Sequence, residues 1–512
     1  MEVELKLLID PKHKDALLHH PLLNGEPKAR PQEQSVSDTY FDTPDLRLRH
    51  SDIGLRVRRV NGGWVQTIKS GGNVHGGVHS RNEWESQVAG PGPELAHLRE
   101  VVDDKKTRRD VLHSAAMGKG LAPIFTTKVK RTVWDLHLKD GDHIECALDQ
   151  GRLECGNKKA PISELELELK SGDPAHLFDL ALALQQDIPL HIGNRSKADR
   201  GYELFESRVP AAVKATALAL SPDMSAEQAF QQIAFNTMTH MQDNADGVAQ
   251  RHDVESLHQM RVGLRRLRSA LSMYKALLHL PPELQQELDW LAQELGDARD
   301  WDVLSGSTLP ALTQDLVPPM TIDGVQHAAA DNAQQHHVTA AAAVGSPRYT
   351  RLMLGATRWV QSMGWHEDQA AMDAAGKKLR QPVIKFARQI LKRDQRRLRS
   401  RAAKLRAATP ADRHRVRIAA KKTRYAAEFF GSLFASKTVR PYIKALTGLQ
   451  DELGYLNDAA VADRLLTGMP AAQPELHSEV GFVRGFLAAR TKNDDKKVIR
   501  LWKRFAKIGT PR

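Results

Sequence analysis

The sequence has little cysteine, no long apolar run and no evenly spread charge. Only Cys146 and Cys155 occur in 512 residues. A disulfide framework and a cysteine-rich zinc site are therefore excluded, and a reducing compartment is favoured. No stretch approaches the roughly 18 uncharged apolar residues of a membrane-spanning helix. The start lacks the basic region and apolar run of a signal peptide: Glu2, Glu4 and Lys6 stand there instead. The expectation is a cytoplasmic protein that does not enter the membrane.

What is present is globular: 27% charged and 41% hydrophobic residues. At roughly 150 residues per domain the length admits two to four domains. The formal charge is +12, but residues 1–210 carry 30 Lys and Arg against 32 Asp and Glu, so the excess lies entirely in the remainder. That part should attract a polyanion: nucleic acid, polyphosphate or an acidic membrane surface. The competing explanation is ordinary solvation of helix surfaces.

Residues 1–205 read as strands. Short alternating runs recur at Val3–Leu8, Gly54–Val60, Trp64–Lys69, Arg81–Val88, Thr126–Leu138, His143–Asp149, Gly156–Ile162 and Glu164–Lys170. Leu177–Gln186 and most of Glu94–Gly118 look helical. About eight strands suggest a sandwich or barrel. A linker, 206–224, follows. Ser225 with Gln228 resembles a capping box opening a helix. Residues 225–510 then read as helical, with a long loop over Ser305–Gly324.

The helical part repeats itself. Leu257–Arg268 resembles Arg413–Arg424, aligning His258 with His414, Arg261 with Arg417, Arg265 and Arg266 with Lys421 and Lys422, and Arg268 with Arg424. Glu294–Asp300 likewise resembles Glu452–Asp458. Two matching blocks in the same order argue for a duplicated helical bundle, about 225–305 and 375–470.

In the first part, charged side chains alternate with apolar ones. Glu2, Glu4 and Lys6 share one strand face, as do Arg56 and Arg58, Glu83 and Glu85, Glu145 and Asp149, and the row Glu164, Glu166, Glu168 and Lys170. Each row alone is what a solvated strand face shows. Together they fit a closed barrel whose apolar residues point outward under helices and whose lumen is charged. Paired carboxylates bind hard divalent cations, and Arg and Lys bind phosphate oxygens. Both sets in one lumen suit a metal-bound oligophosphate.

These residues resemble the CYTH family of triphosphate tunnel metalloenzymes. The resemblance rests on Glu2-x-Glu4-x-Lys6, Tyr40–Thr43, Leu55–Arg58, Glu83-x-Glu85, Glu145 with Asp149, Glu164–Glu168 and Ser196-Lys197 with Gly201-Tyr202. It implies an eight-stranded antiparallel tunnel that cleaves triphosphates with Mg²⁺ or Mn²⁺. It also implies that Glu2, Glu4, Glu166 and Glu168 hold metal or orient water, and that Lys6, Arg56, Arg58, Lys69, Arg131 and Lys197 grip phosphates. Glu83, Glu85, Glu145 and Asp149 would complete the metal-binding acids. The register at Arg131 is open, because Lys128 and Lys130 lie on the opposite parity. The helical half resembles the CHAD domain, which implies two pseudo-symmetric four-helix bundles that bind inorganic polyphosphate.

At helical spacing His258, Arg261, Arg265 and Arg268 form one stripe bordering the apolar stripe of Leu257, Met260, Leu264, Leu267 and Leu271. His414, Arg417, Lys421 and Arg424 repeat it. Two such rows could line a groove for a phosphate chain. The competing explanation is salt bridging to Asp297, Asp300, Asp302 or Asp458. Stacked bases call for interleaved aromatics, and the first row has none, which favours polyphosphate over nucleic acid. The expected fold is thus α+β, a barrel tunnel at 1–205 followed by an all-α domain. The expected function is hydrolysis of inorganic triphosphate, with polyphosphate bound behind it and a location at polyphosphate granules. The alternatives are a granule-associated scaffold with a weak tunnel, an organic triphosphatase or an adenylate cyclase.

Overall fold

The computed structural model describes residues 2–24, 31–60, 62–75, 77–109, 120–138, 141–316, 320–367, 375–491 and 495–512. Two compact units result: Met1–Ala211 with Pro347–Ser362, and Ala212–Ser346 with Met363–Arg512.

The first unit is built on antiparallel strands β1 (Glu2–Ile9), β2 (Gln32–Asp42), β3 (Ile53–Val60), β4 (Gly63–His75), β5 (Val78–Val88), β6 (Ala122–His137), β7 (His143–Cys155), β8 (Lys158–Ser171) and β9 (Leu190–Ile192). The order is β5-β4-β3-β2-β6-β7-β8-β1, and β1 pairs back onto β5, so eight strands close a barrel. β1 spends Glu2–Leu5 on β5 and Leu7–Ile9 on β9. Alternation sets the two faces. Leu5, Leu7, Trp134, Ile144, Cys146, Leu148, Leu165 and Leu167 point outward into a core covered by Leu177, Phe178, Ala181 and Leu184 of the helix Ala175–Asp187. Leu354 joins that core from the helix Pro347–Gln361, and Arg358 of the same helix pairs with Asp179.

The strand count of eight holds by a different route from the one the sequence suggests. Gly156–Ile162 and Glu164–Lys170 are one strand, β8, because Ser163 continues the pairing with Gln150. β2 is the additional strand; its exposed, polar first half, Gln32–Ser35, has no alternation to read. Within Glu94–Gly118, Leu95–Val101 and Lys105–Thr107 are helical, and 110–118 lie outside the described residues. The expected loop Ser305–Gly324 is instead helical in its first part. A π-helical turn, Leu304–Thr308, runs into the helix Leu309–Thr313, because Leu304, Leu309 and Leu312 are buried in an apolar core.

The second unit is all helix. Val254–Tyr274 and Pro282–Val303 carry the first copy of the repeated blocks, and Pro410–Phe429 and Ser436–Ala472 the second. Each copy is preceded by a helix, Ala226–Gln242 and Val383–Ala402. Ser225 and Gln228 form the capping box expected there. At the start of these two helices Ala226 N donates to Gln381 O and Val383 N to Met224 O, both at 2.9 Å. Ala226 and Val383 each open one of these helices, so the pair of bonds ties the two helix starts together.

Candidate functional site: a charged tunnel and a cationic groove

The inward rows of the barrel meet in one cavity of about 300 Å³, lined by Glu2, Glu4, Lys6, Arg56, Arg58, Lys69, Glu83, Glu85, Arg131, Glu145, Glu166, Glu168 and Lys197, among others. Strand register decides which charges face each other. Lys6 lies opposite Glu166, and its Nζ is 2.5 Å from that carboxylate and 2.7 Å from Glu4. Arg131 lies opposite Asp149, forks onto it at 2.7 and 2.6 Å, and reaches Glu166 at 2.7 Å. Arg58 forks onto Asp38 at 2.7 and 2.9 Å. Arg56 lies 3.3 Å from Glu83, and Lys69 bridges Glu2 at 2.5 Å and Glu83 at 3.1 Å.

One end of the lumen is plugged. The inward residues Val36, Phe125, Val129, Leu153 and Ile162 pack with Tyr202 of the helix Lys197–Glu206. A Cβ at Gly201 would lie 2.1 Å from the Phe125 ring, so glycine lets this helix sink between the strands. The Ser196–Asp199 capping box fixes its first turn. Lys197 then enters the lumen, where its Nζ contacts Glu164, Asp149 at 2.7 Å and Glu166 at 3.0 Å. The other end is open. Along β8 the side-chain exposure climbs from 1% at Glu164 through 12% at Glu166 and 26% at Glu168 to 34% at Lys170.

Burial and pairing set the protonation states. Burial opposes charge on Glu166, but Lys197, Lys6 and Arg131 outweigh it and hold the carboxylate well below its usual range. Burial opposes Lys197 likewise, and Asp149, Glu164 and Glu166 push it well above. Asp38 is held down to about 2, since Arg58 and Arg56 outweigh its desolvation. Glu2 goes the other way. Desolvation, with Glu4 and Glu83 adding, overcomes Lys69 and raises it to about 7.

In the helical unit, Arg261 and Arg265 of Val254–Tyr274 meet Arg417 and Lys421 of Pro410–Phe429. Arg261 faces Asp300 at 3.8 Å, and Arg417 faces Asp458 at 4.0 Å, the equivalent pair in the second copy. These contacts are too long for good hydrogen bonds. Arg261 Nη1 and Arg417 Nε are buried without a hydrogen-bond partner. Arg265 donates its Nε–H to Tyr425 Oη at 2.6 Å. Desolvation, reinforced by Arg265 and Arg417, lowers Lys421 to about 7.

The comparisons with known proteins divide the chain between the barrel and the helices that follow it, although the second match also spans Pro347–Ser362, which pack with the barrel. The CYTH domain matches residues 1–202 and the CHAD domain residues 232–467. The crystal structure of the CHAD domain from the plant Ricinus communis is 40% identical, covers 59% of this chain and 99% of its own, and has a TM-score of 0.53. The chain carries a CYTH domain followed by a CHAD domain, and belongs to the CHAD family. An inorganic triphosphatase from Haemophilus influenzae is 33% identical over 213 residues, which are 40% of this chain and 54% of that protein. The chain thus spans about half the length of that curated relative. A Hippeastrum protein described as having a dominant triphosphatase activity is 21% identical, covering 40% of this chain and 96% of its own, at a TM-score of 0.30.

A hard divalent cation fits the CYTH tunnel at its open half. Asp135 lies opposite Glu145, Glu145 opposite Glu168, and Glu168 opposite Glu4. Four carboxylates therefore stand in one row across four strands, an arrangement that repels itself unless a cation joins it. Lys170, 2.7 Å from Glu168 and 3.7 Å from Glu145, and Lys6, 2.7 Å from Glu4, offset part of it, and His143 contacts Asp135. Deeper in, the trio Asp149, Glu164 and Glu166 also has the spacing of metal ligands, but the Lys197 ammonium fills its centre.

All the acids and bases expected in the tunnel are brought together there. Asp38 is a partner that strand alternation alone does not expose, because the polar start of β2 hides the strand. Arg200, 3.3 Å from Glu164, is another. In the CHAD groove the rows divide. Arg261, Arg265, Arg417 and Lys421 converge, with His258 near Arg299. His414 lies at their edge, 3.2 Å from Asn457, which stands where the first copy has Arg299. Arg266 is instead buried against Phe429, Glu428 and Asn236, and Arg424 pairs with Glu428 at 2.6 Å. Arg268 reaches Asp289 at 2.6 Å and Lys422 reaches Ser272 at 2.9 Å. Asp300 and Asp458 take the salt-bridging role weighed for them, while Asp302 binds His337 and Asp297 accepts from Gln293.

Proposed function

We propose that the CYTH tunnel hydrolyses inorganic triphosphate to pyrophosphate and phosphate, and that the CHAD unit binds inorganic polyphosphate. The observation that carries the first half is a cavity sealed at one end, with Lys6, Arg131 and Lys197 deep inside and a row of carboxylates nearer the mouth. A short phosphate chain entering from the mouth would set its oxygens against these cations, plus Arg56, Arg58 and Lys69 on the opposite wall. The cations are already fixed by Glu166, Asp149 and Asp38, so little reorganisation is needed when charge develops on the bridging oxygen. Glu4, Glu168 and Glu145 would hold Mg²⁺ or Mn²⁺, with Glu2, Glu83, Glu85 and Glu166 beside them; the metal supplies further charge neutralisation on phosphate oxygens. Glu2, near neutrality, can orient a water and accept its proton as the water attacks phosphorus. The plug of Phe125 and Tyr202 closes off the far end and favours a short, linear substrate.

For the CHAD unit the carrying observation is the set of buried, hydrogen-bond-poor guanidinium atoms on Arg261 and Arg417. The row has no interleaved aromatic surface, and Tyr425 is buried, which favours a phosphate chain over bases. A substrate panel tests the enzyme half: tripolyphosphate, ATP, thiamine triphosphate and long polyphosphate, each with Mg²⁺ and Mn²⁺. The expected result is phosphate release that is fastest from tripolyphosphate. No release from any of them leaves a polyphosphate-binding scaffold and rejects the enzyme.

A further inference from the structure

The tunnel mouth carries a donor set unlike the rest of the lumen. On β6, Trp134 and Leu136 face the outer core, so Asp135 and His137 continue the inward row that begins at Arg131. On β7, Ile144 and Cys146 face outward, and His143 continues the row of Asp149 and Glu145. His137 lies directly opposite His143. Their rings stack at 4.3 Å between centroids. Both point a nitrogen at one carboxylate: His143 Nε2 contacts Asp135 Oδ1, and His137 Nε2 lies 3.5 Å from Asp135 Oδ2. One ligand atom from each of the three residues lies within 4.8 Å of the others.

We propose that Asp135, His137 and His143 form a second metal site at the rim of the tunnel, for a borderline-soft cation of the Zn²⁺, Co²⁺ or Ni²⁺ class. Two imidazole nitrogens and one carboxylate oxygen match the ligands such ions take, with positions left open to water. The acids deeper in the tunnel offer only oxygen, which suits Mg²⁺ or Mn²⁺ instead. Bringing the donors to tetrahedral spacing, about 3.3–3.6 Å for bonds of about 2.0–2.2 Å, requires the His137 and His143 rings to turn apart from their stack. Both residues are on the surface: 65% of the His137 side chain and 32% of the His143 side chain are exposed. The site does not depend on which triphosphate the tunnel accepts.

The test is Co²⁺ titration of the full-length chain in excess Mg²⁺, followed by the visible absorption of nitrogen-ligated Co²⁺ and by calorimetry. The proposal predicts one Co²⁺ equivalent that Mg²⁺ does not displace and Zn²⁺ does. Glu4→Gln, which alters only the tunnel acids, should keep that equivalent. His137→Ala with His143→Ala should lose it, and His143→Gln, which keeps a polar side chain at the exposed position, should weaken it at least about tenfold. Retention of the equivalent in the double variant or in His143→Gln would overturn the proposal. So would its loss in Glu4→Gln, or the absence of any Mg²⁺-resistant binding.

Discussion

In the CYTH tunnel Lys197 has three carboxylates around it, whereas in the CHAD groove the charges that weigh most on Lys421 are Arg265 and Arg417. Lys197 is the more deeply buried of the two, yet it is driven well above its usual range while Lys421 falls to about 7. The difference lies in the companions. Strand register puts Lys6 opposite Glu166 and Arg131 opposite Asp149, so each tunnel cation is neutralised before any substrate arrives. The helical repeat instead puts like charges from two copies face to face, with Asp300 and Asp458 held about 4 Å away. On the proposed function, the tunnel would act on a phosphate chain with its cations already fixed and paired, and the helical site would leave its charge to be neutralised by the ligand.

The sharpest way to break this contrast is Lys197→Met. It removes the ammonium shared by Asp149, Glu164 and Glu166 and leaves these buried carboxylates to Arg131, Lys6 and Arg200 alone. A loss of about 3–5 kcal/mol of stability is expected, read as a lower denaturation midpoint, whereas Lys421→Met should stabilise or leave the fold unchanged. Equal destabilisation by both would erase the distinction. Next in size, Arg261→Glu with Arg417→Glu should weaken polyphosphate binding by about tenfold or more per site, because charge-assisted hydrogen bonds are lost. A filter assay on the full chain reads this, and undiminished binding rejects the groove.

Acidity sharpens the contrast further. Lys421 is lowered to about 7 without ligand, and a bound polyanion raises it again by supplying negative neighbours. Binding therefore takes up a proton at pH values above about 7, and affinity falls as pH rises through that point. Calorimetry in buffers of different ionisation enthalpy reads the uptake, which Lys421→Arg should remove. The smallest effect expected is for Tyr425→Phe. It deletes the hydroxyl that accepts from Arg265 and should cost about 1 kcal/mol of polyphosphate affinity. An unchanged affinity would mean that Arg265 needs no anchor.

Much of this was legible in the residues. Glu2-Val-Glu-Leu-Lys6 and Glu164–Lys170 alternate so strictly that their charged faces are readable from the residues, and the His258 and His414 blocks both show a helical period. β2 was hidden, because polar Gln32–Ser35 lie outside the buried stretch and break the period; Asp38 was lost with it. The rim pair His137 and His143 could be read only once β6 and β7 were in register, since five residues separate them in the chain. The split within the cationic rows also came from packing. Arg266 and Arg265 are neighbours in sequence, but a 100° turn sends one under Phe429 and the other toward Lys421. Nothing in the periodicity of 347–361 said that this helix would cover the barrel, because an apolar helical stripe does not name its partner.

The most direct test of the central claim is phosphate release from tripolyphosphate with Mg²⁺ by the full chain and by Glu4→Gln, with the fold checked by circular dichroism. The account predicts release by the natural sequence and a drop on the order of a hundredfold or more in the folded variant. Release at the same rate from both would contradict it.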